Sequence, residues 1–295
     1  MKRYLIFALA LALTGCGSQG TPEGYVRHCV KQLDRQALYA DSPEWEECRK
    51  AVLSENLSSM DDAHDAVSRA AAVAGGKHSR LVPPVKDTVS YVEVAPEARL
   101  LEENIAYVAL PAHSGVKVPD SLYIHTVLDF LQGHLDAAGV VLDLRGNRGG
   151  NMYPMIAAVS PLIPDGIILR FKSRGRTAPV SLEYVVKMAG LSYAEVKKLP
   201  SSLPIAILTD ALTGSSGEAT LLCFRGLDNV RTFGAPTAGY ASANTVLPLV
   251  DGYTLLITTG CDVARTGEIF CDDPIAPDFA TDSPLEDALR WIAAR

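Results

Sequence analysis

Ser215 lies in Thr209-Asp210-Ala211-Leu212-Thr213-Gly214-Ser215-Ser216-Gly217-Glu218, where an apolar run (204–209) gives way to a loop and then a helical stretch. A hydroxyl that opens a helix sits beside unpaired backbone N–H groups and the positive end of the helix dipole. Both would stabilise an oxyanion developing on a bound carbonyl. The spacing Ser215-x-x-Glu218 is equally that of a capping box, which starts helices without any chemistry. A second stretch, Val141-Leu142-Asp143-Leu144-Arg145-Gly146-Asn147-Arg148-Gly149-Gly150, runs a hydrophobic strand into a glycine-rich turn. Such a turn presents backbone N–H groups to an anion. It contains neither G-x-x-x-x-G-K-S/T nor G-x-G-x-x-G, which argues against a nucleotide phosphate. A tight structural turn with Asp143 paired to Arg145 is the alternative.

A serine nucleophile needs a base, and imidazole is the side chain that titrates nearest neutrality. His78 stands in Ala74-Gly75-Gly76-Lys77-His78-Ser79, where a helix has stopped and glycines let the chain approach closely. His113, in Pro111-Ala112-His113-Ser114-Gly115 after a strand, is the reserve candidate or a residue lining the cleft. His28, His64, His125 and His134 fall in or beside helical stretches and read as surface or packing residues. No Cys/His spacing resembles a zinc site, so neither a metal nor an organic cofactor is expected.

These residues need a frame. Strand patterns at 104–110, 139–144, 204–209, 230–233, 244–250 and 253–259 alternate with helical ones at 121–135, 152–162 and 216–224. Repeated strand–turn–helix units predict an α/β architecture with a largely parallel sheet. Residues 164–203 interrupt the order as a polar, partly helical insertion. Ahead of the sheet, 25–76 reads as a small helical bundle: Asp41-Ser42-Pro43-Glu44 is a helix start and Gly75-Gly76 a helix stop.

The chain has 295 residues, 48% of them hydrophobic, and a formal charge of −7 with no basic run, which excludes nucleic acid as a natural partner. Lys2 and Arg3 precede an apolar run too short to span a bilayer, typical of a signal peptide over 1–15. That run ends in Leu13-Thr14-Gly15-Cys16 and resembles a bacterial lipobox, which implies lipidation of Cys16 and a tether over 16–24. Gly17 after the cysteine favours the outer membrane, facing the periplasm, in a cell with two membranes. Of the five other cysteines, Cys261 and Cys271 flank a turn and are expected to pair. Cys29 with Cys48 is a second possible bridge, and Cys223 is left buried.

Taken together, the Asp143-x-Arg145-x-Asn147-x-Gly149-Gly150 turn, Thr213-x-Ser215-x-x-Glu218 and Phe233-Gly234-x-Pro236-Thr237-Ala238-Gly239 resemble the S41 serine peptidases. Asp251-Gly252 and Pro274-Ile275-Ala276-Pro277-Asp278 extend the resemblance over roughly 74–278. It implies a ClpP/crotonase-like α/β core over 77–295, with Ser215 as nucleophile. The N–H of Ser216 and one from Gly149 or Gly150 would form the oxyanion hole. Tyr240 stands where the C-terminal processing branch carries its catalytic lysine, and 84–104 is too short for that branch's PDZ domain. The pattern is therefore most similar to the PDZ-less branch of the nisin resistance protein, whose serine–histidine dyad points to His78. Asp272, Asp273 or Ser79 would be weak candidates to orient it. The implied function is a membrane-anchored serine endopeptidase acting on peptides or protein tails in the cell envelope. The alternative is a non-catalytic binding module on the same fold, for a peptide or apolar ligand.

Overall fold

The computed structural model describes residues 20–84 and 93–295. The signal segment and Cys16 lie outside the described residues. In chain order, α1 (Pro22–Gln36), α2 (Pro43–Ser54), α3 (Met60–Gly75) and β1 (Arg80–Val82) come first. They are followed by β2 (Glu97–Leu100), β3 (Ile105–Ala109), α4 (Asp120–Gly133), β4 (Gly139–Asp143) and α5 (Met152–Ala158). Next are β5 (Ile167–Ser173), β6 (Arg176–Ser181), α6 (Leu182–Met188), β7 (Ile205–Thr209) and α7 (Ser216–Leu222). The chain ends with β8 (Val230–Gly234), β9 (Ser242–Pro248), β10 (Thr254–Ala264), β11 (Ile269–Phe270), β12 (Phe279–Ala280) and α8 (Pro284–Ala293). Two compact units result. One takes the residues up to Pro84 together with Val246–Ile257, the other Val85–Thr245 and Thr258–Arg295.

In the first unit each helix begins on a hydroxyl cap. Thr21, Ser42 and Ser59 accept from the backbone N–H groups of Gly24, Trp45 and Asp62, and Ser59 with Asp62 completes a capping box. Such a cap contributes about 1 kcal/mol. Gly76, at φ 76°, stops α3 where the sequence predicts. The helices close on Tyr25, Val30, Leu33 and Trp45 against the small face of α3 formed by Ala63, Ala66, Ala70 and Ala74. Leu249, Leu255 and Ile257 enter the same core from the 246–257 hairpin. Polar contacts hold this hairpin too: His64 Nε2 lies 2.7 Å from Asp251 Oδ2, the His64 ring stacks on Tyr253, and β1 pairs with β10 at Leu81↔Leu255.

The second unit is built on a six-stranded sheet of order β12-β8-β7-β4-β3-β2, parallel except for the antiparallel β2 at its edge. Strand alternation sorts its side chains onto two faces. Ala106, Val108, Val140, Leu142, Ile205 and Ile207 pack in the larger core with residues of α4, α5 and α7. Ile105, Tyr107, Val141, Ala206 and Leu208 face Ala288 and Ile292 of α8. Both faces are covered, which is why these strands read as continuous apolar runs.

The insertion at 164–203 is partly helical, as expected, and also holds two strands. It carries the β5–β6 hairpin, turned at Gly175, before the short α6. Pairing of β5 with β10 at Gly260–Ala264 also carries β10 five residues past its expected end at 259. Cys261 and Cys271 are joined, as expected, across the β10–β11 hairpin. Cys29 and Cys48 are free thiols, so the second possible bridge is not made: Cys29 is wholly buried in the helical core and Cys48 only half-buried. Among the described residues no helix is long and apolar enough to cross a membrane.

Candidate active site

Adjacent parallel strands β4 and β7 end side by side, and each leaves the sheet in a polar turn. Open α/β sheets bind ligands at this carboxyl edge of their strands. The turn after β4 is anchored at its base by Asp143, which accepts two bonds from Arg145 Nε, at 2.9 and 3.1 Å, and one from Tyr107 Oη at 2.8 Å. Burial and this carboxylate push the Tyr107 phenol up to about 12. The structural pairing of Asp143 with Arg145 is therefore present, beside the feature that gives the turn its chemistry, the backbone of Gly149 and Gly150.

Both glycines have positive φ, 97° and 122°. A Cβ on Gly149 would lie 2.7 Å from Ser215 Cβ, and one on Gly150 only 2.0 Å from the carbonyl oxygen of His113. No other residue fits either place. Asn147, wholly buried, sets the turn. Its Nδ2 donates to Leu110 O at 2.9 Å, and its Oδ1 accepts from the Gly149 N–H at 2.9 Å. Its carbonyl accepts from Gly214 N at 2.8 Å, tying this turn to the next. The Gly149 N–H is thus already donated. The bridge between His113 and Gly150 uses the Gly149 carbonyl and the Asn151 N–H, leaving the Gly150 N–H outside the pairing.

The turn after β7 is held by Asp210 and Thr213. Asp210 Oδ1 accepts from the N–H groups of Gly146, Leu212 and Thr213, and Thr213 Oγ1 donates to Leu144 O at 2.8 Å. Ser215 then adopts φ 55°, ψ −118°, a conformation that L-residues avoid at a cost of about 1–2 kcal/mol. The compensating group is Glu218, wholly buried in the first turn of α7. Its Oε2 accepts from the N–H of Ser215 at 2.8 Å and of Tyr240 at 2.7 Å. Its Oε1 accepts from Thr237 Oγ1 at 2.5 Å and Gly239 N at 2.8 Å. A hydrogen bond contributes about 0.5–1.5 kcal/mol net, so the bond from the Ser215 N–H to Glu218 offsets much of the strain there. Ser216 closes the arrangement by donating from Oγ to Gly150 O at 2.6 Å.

The second unit thus brings together Ser215, Ser216, Gly149, Gly150, Glu218 and the backbone of Tyr240. His113 belongs to the same neighbourhood through its main chain, which bonds Gly149 O and Asn151 N at 3.1 and 2.7 Å. Its side chain is wholly buried elsewhere: Nε2 lies 2.7 Å from Asp120 Oδ1 and Nδ1 3.2 Å from Glu93 Oε1. Only Nε2 is hydrogen-bonded; Nδ1 faces Glu93 without a hydrogen bond, and the whole ring is shut away from solvent. His78 belongs to the first unit, buried on the turn between α3 and β1. Burial, with Arg80 and Lys77 nearby, lowers its pKa from an ordinary 6.5 to about 4. Asn147, Asp210, Thr213 and Thr237 do as much positioning as the residues singled out from sequence. Asn147, Thr213 and Thr237 stand in the quoted motifs, but what they position depends on partners distant in the chain: Leu110, Leu144 and Glu218.

Residues 104–281 match the model of peptidase family S41. Over 288 residues the chain is 36% identical to the nisin-resistance protein of Lactococcus lactis subsp. lactis, an alignment that covers 93% of this chain and 88% of that protein. A lipoprotein of Streptococcus agalactiae shares its structure with a TM-score of 0.84 and 29% identity, across 97% of this chain and 100% of that one. The photosystem II D1 C-terminal processing protease has the same fold, with a TM-score of 0.65 at 13% identity over 92% of this chain and 97% of its own. Sequence and fold agree over most of the molecule: the chain belongs to peptidase family S41.

Proposed function

We propose that this chain is a serine endopeptidase anchored to the cell envelope through lipidated Cys16, working by a Ser215–His78 dyad. The observation that carries the reading is the strained Ser215 beside the glycine turn, its N–H held by buried Glu218, which three bonds from Thr237, Gly239 and Tyr240 fix in place. Strain held at such expense is a mark of functional positions rather than of helix starts.

In this mechanism the neutral imidazole of His78 takes the proton of Ser215 as Oγ attacks the scissile carbonyl carbon. The carbonyl oxygen becomes an oxyanion and receives the N–H groups of Ser216 and Gly150, the Gly149 N–H being committed to Asn147. Collapse breaks the C–N bond, and protonated His78 passes its proton to the leaving amine. Water, deprotonated by the same imidazole, then releases the acyl group from Ser215. A pKa near 4 keeps His78 neutral through the physiological range, ready to accept a proton although a weak base. Identity to a nisin-resistance protein makes lantibiotic-type peptides the first substrates to try. The lipobox-like Leu13-Thr14-Gly15-Cys16 would place the enzyme on the outer membrane, facing the periplasm, in a cell with two membranes.

The test is turnover of nisin and of a mixed peptide library by the purified chain, beside Ser215→Ala and His78→Ala. Loss in both folded variants of about 10³-fold or more supports the dyad. An active His78→Ala variant sinks the assignment of the base. A parent that neither cleaves nor reacts with a serine-directed fluorophosphonate would instead favour the binding module. Labelled palmitate on the parent, absent from Cys16→Ser, tests the anchor.

A further inference from the structure

His113 is the one motif histidine that the proposed mechanism leaves unused, yet it sits between two carboxylates, Glu93 and Asp120. Glu93 is buried and accepts five bonds from a single loop. These come from Ser114 N at 2.5 Å, Ser114 Oγ at 3.1 Å, Gly115 N at 2.9 Å, Lys117 N at 2.7 Å and Val118 N at 2.9 Å. These donors hold its carboxyl down at about 2 against the opposing effect of burial. The His113 imidazole fills the space between Glu93 and Asp120, with its ring 4.2 Å from that of Tyr123, whose hydroxyl donates to Pro111 O at 2.8 Å. A carboxylate can only accept, so Nε2 carries the hydrogen it shares with Asp120. The main chain of loop 111–120 meets the glycine turn at two places: Pro111 O accepts from Asn147 Nδ2 at 3.4 Å, and His113 pairs with Gly149 and Asn151. The His113 N–H donates to Gly149 O, and its carbonyl accepts from the Asn151 N–H. Those two groups bracket the Gly150 N–H.

We propose that His113 is a positioning residue: hydrogen-bonded to Asp120 and packed against Glu93, it fixes through its backbone the peptide plane that aims the Gly150 N–H at the oxyanion. The proposal rests on the serine-peptidase reading for its catalytic consequence, but the clamp can be measured without it. Oxyanion donors act through preorganisation, so a clamp that loosens them lowers transition-state affinity more than substrate affinity.

The variants are Asp120→Asn, His113→Ala and His113→Gln, the last restoring a donor toward Asp120. Asp120 is half-exposed, so its variant removes the charge without emptying the core. In Asp120→Asn and His113→Ala, kcat on a cleaved peptide is expected to fall about 10-fold or more with KM within about two-fold. Affinity for a peptide boronate should fall in parallel, with His113→Gln partly restored. Independently, hydrogen exchange at the Asn151 amide should quicken by about 10-fold relative to amides of β4. Unchanged Asn151 exchange in both variants overturns the clamp, whatever the reaction. A loss seen only in KM, or only in proportion to unfolded protein, overturns its catalytic role. If the parent cleaves nothing, the peptidase reading fails, and Asn151 exchange alone decides the clamp.

Discussion

The turns after β4 and β7 meet the same demand, to bring two stretches of backbone close together at one edge of the sheet, by opposite means. The first spends glycine: Gly146, Gly149 and Gly150 all have positive φ, and the last two have neighbours where a side chain would be. The second carries a side chain at its most strained place, the Ser215 hydroxyl that the proposed mechanism uses. It forces Ser215 into the left-handed region and holds it with Glu218. Where only room is needed, a residue without a side chain is the stable answer. Where chemistry is needed, strain is tolerated and offset by bonds from outside the turn.

The sharpest way to break this comparison is to give the first turn a side chain. Gly150→Ala would drive a Cβ into the His113 carbonyl, and should cost about 4 kcal/mol of stability and at least about 100-fold in kcat/KM. Gly146→Ala, at φ 72° in open space, should cost only about 1 kcal/mol. Equal losses in urea denaturation would show that conformation, not crowding, sets the demand. On the second turn, Glu218→Gln turns an acceptor of four bonds into an amide whose NH₂ must face donors. A loss of about 3 kcal/mol is expected, read from the same denaturation curves.

The pH dependence follows from His78. Its folded-state pKa, about 4, lies below the ordinary 6.5, so as pH falls the unfolded chain takes up the proton first. The stability associated with neutral, buried His78 is complete above about pH 6.5 and is lost as pH falls toward 4. His78→Gln should flatten that part of the pH–stability curve. If His78 is the base, the acid limb of kcat/KM falls near pH 4; a limb near 6.5 would point to a different group. The smallest expected effect is the most direct test of strain. Ser215→Gly should gain about 0.5–1 kcal/mol, the relief of φ 55° less the entropy glycine regains when unfolded. Ser215→Ala, which keeps the Cβ, should gain nothing; equal stability of the two variants would mean that Ser215 is not strained.

Much of the frame was legible because its signals are local. Hydroxyl caps and glycine stops mark α2 and α3, and doubly buried strands read as apolar runs at β3, β4 and β7. The hairpin β5–β6 was harder, since its exposed residues, Arg176 to Pro179, give no alternation to read. The C-terminal helix carries its own local signal, a Ser283-Pro284 start with Leu285, Ala288 and Ile292 at helical spacing.

The sequence alone determined which atoms are available for chemistry: the hydroxyl of Ser215, the glycine pair, the imidazoles and the carboxylate of Glu218. The family follows from their order along the chain. Only the tertiary structure decided what each does. Asn147 takes the Gly149 N–H, Glu218 braces Thr237, Gly239 and Tyr240 as well as Ser215, and Glu93 with Asp120 encloses His113. The reason is that a donor or acceptor buried in the fold must find a partner, and the partner found is the nearest in space rather than in sequence.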